Sequence, residues 1–288
     1  MKKIILILGG ALLLLVLYKT VGSSLPEYNP ERSYVNLETE ILEAFILAKD
    51  SATIELSEGH FLFSQSLSMD GKKHITIRGK GMDKTVLSFK GQTKGAEGIL
   101  ITNCNYFTIE DLTIEDAVGD NLKISESKNV TIRNVRTAWT GTISTQNGAY
   151  GIYPVLTKNL LIEGCEAIGA SDAGIYVGQS KNVVVRNNRA FYNVAGIESE
   201  NSIGVEIYEN DIFENTSGLL IFNLPKLTLY GKNIAAYNNR IYNNNIENFG
   251  VKGSIISGVP KGTGVIIMAT QDVNFYNNTI EDHVTNNI

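Results

Sequence analysis

The sequence predicts an all-β fold, a right-handed parallel β-helix whose N-terminal end is closed by one helix, and three observations point to it. A short alternating segment recurs as Ile75-Thr-Ile-Arg78, Phe107-Thr-Ile-Glu110, Val130-Thr-Ile-Arg133, Leu160-Leu-Ile-Glu163, Val183-Val-Val-Arg186, Val205-Glu-Ile-Tyr208 and Val273-Asn-Phe-Tyr276. Successive starts lie 32, 23, 30, 23 and 22 residues apart; Leu227-Thr-Leu-Tyr230 extends the series by 22 and leaves 46, two periods, before Val273. A second strand-like segment precedes each of these, as Gly98-Ile-Leu-Ile101, Asn121-Leu-Lys-Ile124, Gly151-Ile-Tyr-Pro154, Gly174-Ile-Tyr-Val177, Gly196-Ile-Glu-Ser199, Gly218-Leu-Leu-Ile221 and Gly264-Val-Ile-Ile267. Asparagine follows the first series at Asn134, Asn187, Asn188, Asn210, Asn238, Asn239, Asn277 and Asn278. Coils of about 23 residues with short strands and Asn or Gly corners are a solenoid signature. Both residue types tolerate the left-handed backbone of a tight corner, and stacked amides bond from coil to coil.

Before the repeat, residues 1–24 read as a targeting segment: Lys2 and Lys3 precede an apolar run from Ile4 to Tyr18. Fifteen residues span about 22 Å as a helix, short for a hydrocarbon core of about 30 Å but suited to a signal peptide. Val21-Gly22-Ser23 offers a small-residue cleavage site, so cleavage and retention as a membrane anchor both stay open. Residues 25–36, with Pro26 and Pro30, read as a linker. From 37 to 49 the apolar Leu37, Ile41, Leu42, Ala44, Phe45 and Ala48 fall at helical spacing, which predicts an amphipathic helix covering the open end of the solenoid. Strand-like Ala52-Thr-Ile-Glu-Leu56 follows it, and the β-helix domain as a whole is expected over 37–288. The long intervals after Ile75 and Val130 predict loops inserted at one corner, and the chain is expected to stop without a C-terminal cap.

With Lys plus Arg 25 against Asp plus Glu 30, the net charge of -5 provides no field for nucleic acid. Cys104 and Cys165 make neither a disulfide framework nor a metal motif and read as small buried hydrophobes. His60, His74 and His283 are scattered. Contact with a membrane is expected only through the N-terminal segment.

Alternation places the residue after Ile152, Ile175 and Ile197 outside, which stacks Lys123, Tyr153, Tyr176 and Glu198 in one column about 4.8 Å apart. Two positions on, Ser125, Val155, Gly178 and Glu200 form a parallel column. Asp120, Tyr150 and Asp172 sit at the turn leading in, and Trp139 falls on the inserted loop beside it. Aromatic faces stack on sugar rings and cations pair with uronates, so the strip is a candidate polysaccharide site, with plain β-propensity of tyrosine as the competing explanation. Asp172 or Glu198 would be the ligands of a Ca2+ ion, if one binds. No other cofactor is expected.

Gly119-Asp-Asn-Leu-Lys-Ile124, Tyr150-Gly-Ile-Tyr-Pro154 and Ser171-Asp-Ala-Gly-Ile-Tyr-Val-Gly-Gln-Ser-Lys-Asn182 resemble an exported bacterial family of parallel β-helix repeat proteins of unestablished function. More distantly, Ile54-Glu-Leu-Ser-Glu-Gly59, Ile75-Thr-Ile-Arg-Gly-Lys-Gly81 and Lys84-Thr-Val-Leu-Ser-Phe89 are similar to the first coils of mannuronan C5-epimerases, of the pectin-lyase-like class, and of periplasmic proteins linked to copper-enzyme maturation. For the last role no Met, Cys or His cluster is present. Epimerases carry Tyr-Gly-Phe-Asp-Pro-His; here Tyr150, Gly151 and Pro154 match, while Tyr153 replaces the Asp and Val155 the His. Two expectations follow. The first is a non-catalytic exported protein, in the periplasm or cell envelope, whose strip binds a polysaccharide or another exported protein. The alternative is a lyase or C5-epimerase acting on a uronate polymer, with Tyr150 transferring the proton and Lys123 or Arg136 clamping the carboxylate.

Overall fold

The computed structural model describes residues 32–288, so the targeting segment and most of the linker lie outside the described residues. Among the described residues no helix is long and apolar enough to cross a membrane. The expected helix is present as α1, Glu38–Leu47, and buries Ile41 and Phe45 over the first coil. Glu38 fastens it there by accepting hydrogen bonds from the backbone N–H and hydroxyl of Ser64, at 2.7 and 2.9 Å.

Every later coil runs over three faces in fixed order. The Gly-led strands form an eight-stranded parallel sheet, face C, from Gln65–Asp70 to Thr263–Met268. The Val/Ile-Thr-Ile series forms face A, and a set of three-residue strands such as Glu166–Ile168, Arg189–Phe191 and Asp211–Phe213 forms face B. Faces A and B merge into one 16-stranded sheet because Asn105–Glu115 and Lys128–Ala138 run unbroken through both. All pairings are parallel and, apart from a register shift between Gln65 and Leu67 against Lys94–Thr102, register residue for residue, so one row such as Leu67, Ile99, Leu122, Ile152, Ile175, Ile197, Leu219 and Val265 is a continuous buried column. Such columns are the hydrophobic core.

Two corners are wired by asparagine. Asn188, Asn210, Asn239 and Asn278 form a ladder from amide to amide at the A–B corner, buried up to the half-buried Asn278 at its end. A second ladder, Asn193, Asn215 and Asn244 ending on His283 at 3.0 Å, lies at the B–C corner and was not anticipated. The residue before each first-ladder Asn, at 187, 209, 238 and 277, takes φ of 54 to 56°, the left-handed turn expected there. On face C a Cβ added at Gly151 or Gly218 would meet the carbonyl oxygen of the next coil's glycine at 2.5 or 2.4 Å, so close stacking at this column excludes a side chain.

Two expectations are corrected. Leu227–Tyr230 is not a strand; the face A strand of that coil is Lys232–Tyr237, with Ile234 in register with Val205 and Val273. The inserted residues also do not share one corner. Residues 79–84 lie between faces A and B, whereas 139–149 and a further insert, 243–262, lie between B and C. Both cysteines are buried as expected, and burial pushes the Cys165 thiol up to about 12.

Candidate functional site

The two B–C inserts flank face C at its middle coils, and the predicted outward column lies there. Tyr153 registers with Lys123, Tyr176 with Glu198, and Gly178 with both Val155 and Glu200. Tyr150 opens its strand opposite Ala173 and turns its ring toward the column. Its centroid lies 4.5 Å from that of Tyr153 and 4.8 Å from that of Tyr176, and Tyr153 meets Tyr176 edge-on at 5.0 Å. A Cβ on Gly178 would stand 2.3 Å from the Tyr176 ring, so that ring lies folded over the glycine. The three phenols form one aromatic cluster.

The column does not point to open solvent. Insert 243–262, with a short 3-10 turn at Ile256–Gly258, passes over its C-terminal side and presses Ile256 and Val259 onto the aromatic and apolar residues beneath. The result is a cavity of about 540 Å³, one wall Tyr150, Asp172, Glu198 and Glu200, the other Leu220, Phe222, Leu224 and the insert. Tyr176 is 5% exposed and Glu198 3%. Nothing in the sequence tied this insert to the column, since its apolar residues follow no repeat position.

Burial sets the electrostatics. Desolvation, reinforced by Glu200 and Asp120, raises the Asp172 carboxyl to about 7 although Tyr150 donates a hydrogen bond to its Oδ2 at 3.3 Å. Desolvation also raises Glu198, with Asp172 and Glu200 as like-charged neighbours, and raises Glu200 against the opposing hydrogen bond from Tyr176. The phenols move the same way: Tyr153 goes to about 12, and Tyr150 and Tyr176 rise further, chiefly through desolvation. At the outer edge Lys123 lies 5.1 Å above the Tyr153 ring, 3.3 Å from Glu97 and 3.8 Å from Asp120, whose carboxyl burial lifts to about 6. Glu97 was missed by sequence reasoning because it lies in strand Lys94–Thr102 where the register slips against Gln65–Asp70, out of step with the repeat.

Arg136 and Trp139 do not belong to the site. Arg136 lies on face B, where it pairs with Glu166 at 2.7 Å and Asp83 at 2.6 Å. Trp139 is 4% exposed and donates its indole N–H to the Ala117 carbonyl at 2.9 Å, so it wedges the corner and offers no stacking face. No three His, Cys, Asp or Glu side chains among the described residues converge as a metal-binding group, Asp172 and Glu198 included. Val155, in the frame of the epimerase histidine, is a strand residue paired with Ser125 and Gly178 and has no proton to move.

Several solved structures share this architecture. The A-module of the Azotobacter vinelandii mannuronan C-5 epimerase is 17% identical, with a TM-score of 0.53 over 86% of this chain and 74% of that one. A periplasmic alginate epimerase is 16% identical, with a TM-score of 0.58 over 88% of this chain and 57% of that one. A hyperthermoactive exopolygalacturonase from Thermotoga maritima is 15% identical, with a TM-score of 0.54 over 76% and 74%. At these identities the likeness is one of fold. No curated protein matches the sequence significantly. Residues 67–234, more than half of the chain, match the family described as right handed beta helix region, and the chain belongs to that family.

Proposed function

We propose that this is an exported β-helix protein of the cell envelope that binds a unit of a polysaccharide in the face C cavity. One observation carries the reading: a cluster of three tyrosine rings in mutual contact presents one of them, Tyr150, to a carboxylate-lined cavity of about 540 Å³, inside the usual range of about 300–1,000 Å³ for small-molecule sites. Ring faces for stacking and carboxylates for hydroxyl groups are what a pyranose needs. That epimerases and an exopolygalacturonase share the fold supports the assignment to glycans by analogy. The test is titration calorimetry of the full chain against a panel of glycan oligomers, neutral, acidic and amine-bearing. Tyr150→Ala should weaken the best ligand about tenfold or more, since it removes the ring that lines the cavity; retention of full affinity, or no binding anywhere in the panel, overturns the reading.

A lyase or epimerase is the second reading, and the Tyr150–Asp172 hydrogen bond favours it by giving the phenol a proton partner. Three features weigh against it. Burial makes Tyr150 harder to ionise, Val155 supplies no second proton group, and Lys123 is already engaged by Glu97 and Asp120. Incubation with alginate and pectate should therefore give no absorbance from unsaturated uronates and no exchange at C5 by NMR. Either signal, lost in Tyr150→Phe, would replace binding with catalysis.

A further inference from the structure

Glu198 is a buried acidic side chain left unpaired among the described residues. Its strand places it between Tyr176 on one side and Leu220 on the other. It is 3% exposed, it lines the cavity, and among the described residues no hydrogen-bond donor or cation reaches its carboxylate. The groups facing it are Asp172 and Glu200, both acidic, and the phenols of Tyr150 and Tyr176. From the Ser217–Phe222 strand it meets Leu220, and from insert 243–262 the cavity receives Ser254 and Ile256, none of them charged. Among the described residues no Lys or Arg lines the cavity. A buried carboxylate without a partner is costly, and in stable sites it is matched by a bound group.

We propose that the cavity takes an amine-bearing saccharide, its ammonium seated against Glu198 with Asp172 and Glu200 alongside. This rests on the saccharide reading above and narrows it to one class. A uronate would bring its negative charge into a cavity lined by three carboxyl groups and, among the described residues, by no Lys or Arg, so nothing there would offset it. A neutral sugar can bond to the rim but brings no cation for Glu198 to pair with. An ammonium supplies both the charge and the donors, and charge-assisted hydrogen bonds of this kind are roughly twice as strong as neutral ones. The apolar wall of Leu220, Phe222 and Leu224 then faces the less polar side of the ring.

Because the empty cluster holds protons near neutrality, an ammonium entering as the charged species displaces them and binding releases protons. Titration calorimetry of the full chain with glucosamine tetramer, N-acetylglucosamine tetramer and tetragalacturonate, at neutral pH in phosphate and in Tris, reads both affinity and proton release. The amine-bearing tetramer should bind about tenfold or more tightly than the N-acetylated one, the worth of a charged hydrogen bond, and its enthalpy should differ between the buffers. Glu198→Gln should remove that preference and the proton release; Glu200→Gln, which keeps Glu198 in place, should remove only part of it. If the N-acetylated or the acidic tetramer binds as tightly as the amine, the amine assignment fails while the saccharide site stands. If none of the three binds, the saccharide site fails with it.

Discussion

Ser199 occupies an inward row of face C between Val177 and Ile221, where its hydroxyl is buried and bonded to nothing among the described residues. A buried hydroxyl without a partner has a desolvation cost that a methyl group lacks. Ser199→Ala should therefore raise stability by about 0.5–1 kcal/mol, read as a higher urea midpoint; a fall would show that a bound water satisfies the hydroxyl. Asp172 carries the opposite lesson, a charge the fold disfavours. Its ordinary value is 3.8 and burial raises it to about 7, so the folded state binds its proton more tightly than the unfolded state. Stability from this group is then highest below pH 4, declines as pH rises toward 7, and stays flat above. Unfolding at pH 5 and pH 8 should show the lower midpoint at pH 8, and Asp172→Asn should shrink the gap by about 1–3 kcal/mol; an unchanged gap would mean that Asp172 is ionised in the fold. At this scale the tyrosine column was legible because a period of two fixes which residues share a side. Trp139 was not, because sequence cannot tell an exposed indole from one whose N–H is spent on a carbonyl such as that of Ala117.

Elements differ in how much of themselves they declare. Faces A and C repeat strands long enough to show alternation, whereas a face B strand such as Arg189–Phe191 has room for one inward residue, Ala190, and no pattern to recognise. Leu227–Tyr230 misled for the converse reason: it alternates apolar and polar residues, while the true strand, Lys232–Tyr237, places small Ala235 and Ala236 where the repeat has larger residues. Insert 243–262 belongs to no repeat, yet its Ile256 is buried against the site. Ile256→Ala should cost about 2–3 kcal/mol of stability and, by loosening the cover, admit water to the cavity and bring the Asp172 carboxyl back toward its ordinary value. Side-chain carboxyl titration by NMR would check the second effect; an unmoved Asp172 would mean that the neighbouring strands alone keep water out. Charge ladders on face A respond differently. Arg133 bridges Glu110 at 3.5 Å and Glu163 at 2.7 Å from a half-exposed position, so Arg133→Ala should cost under about 1 kcal/mol.

Over the whole molecule, stability comes from contacts between successive coils, so a side chain is worth what its two neighbours in the column make of it. Ile212, Ile241 and Ile280 occupy one column of face B in exact register, the same residue type in three successive coils. Ile212 and Ile241 are fully buried, while Ile280, in the last described coil, is only partly so, packed against the core from one side. Truncating the first leaves a cavity walled by coils above and below; truncating the last removes apolar surface that water already reaches. Ile212→Ala should therefore cost about 3–4 kcal/mol and Ile280→Ala about 1–2 kcal/mol, a difference that isolates the contribution of the second neighbour because residue, backbone and column are held constant. Urea unfolding of both variants at two protein concentrations measures it. Equal costs that diverge on dilution would mean that another copy of the chain covers Ile280 by stacking on the exposed strands of that coil; equal costs at every concentration would mean that coil-to-coil burial does not set the stability of this solenoid.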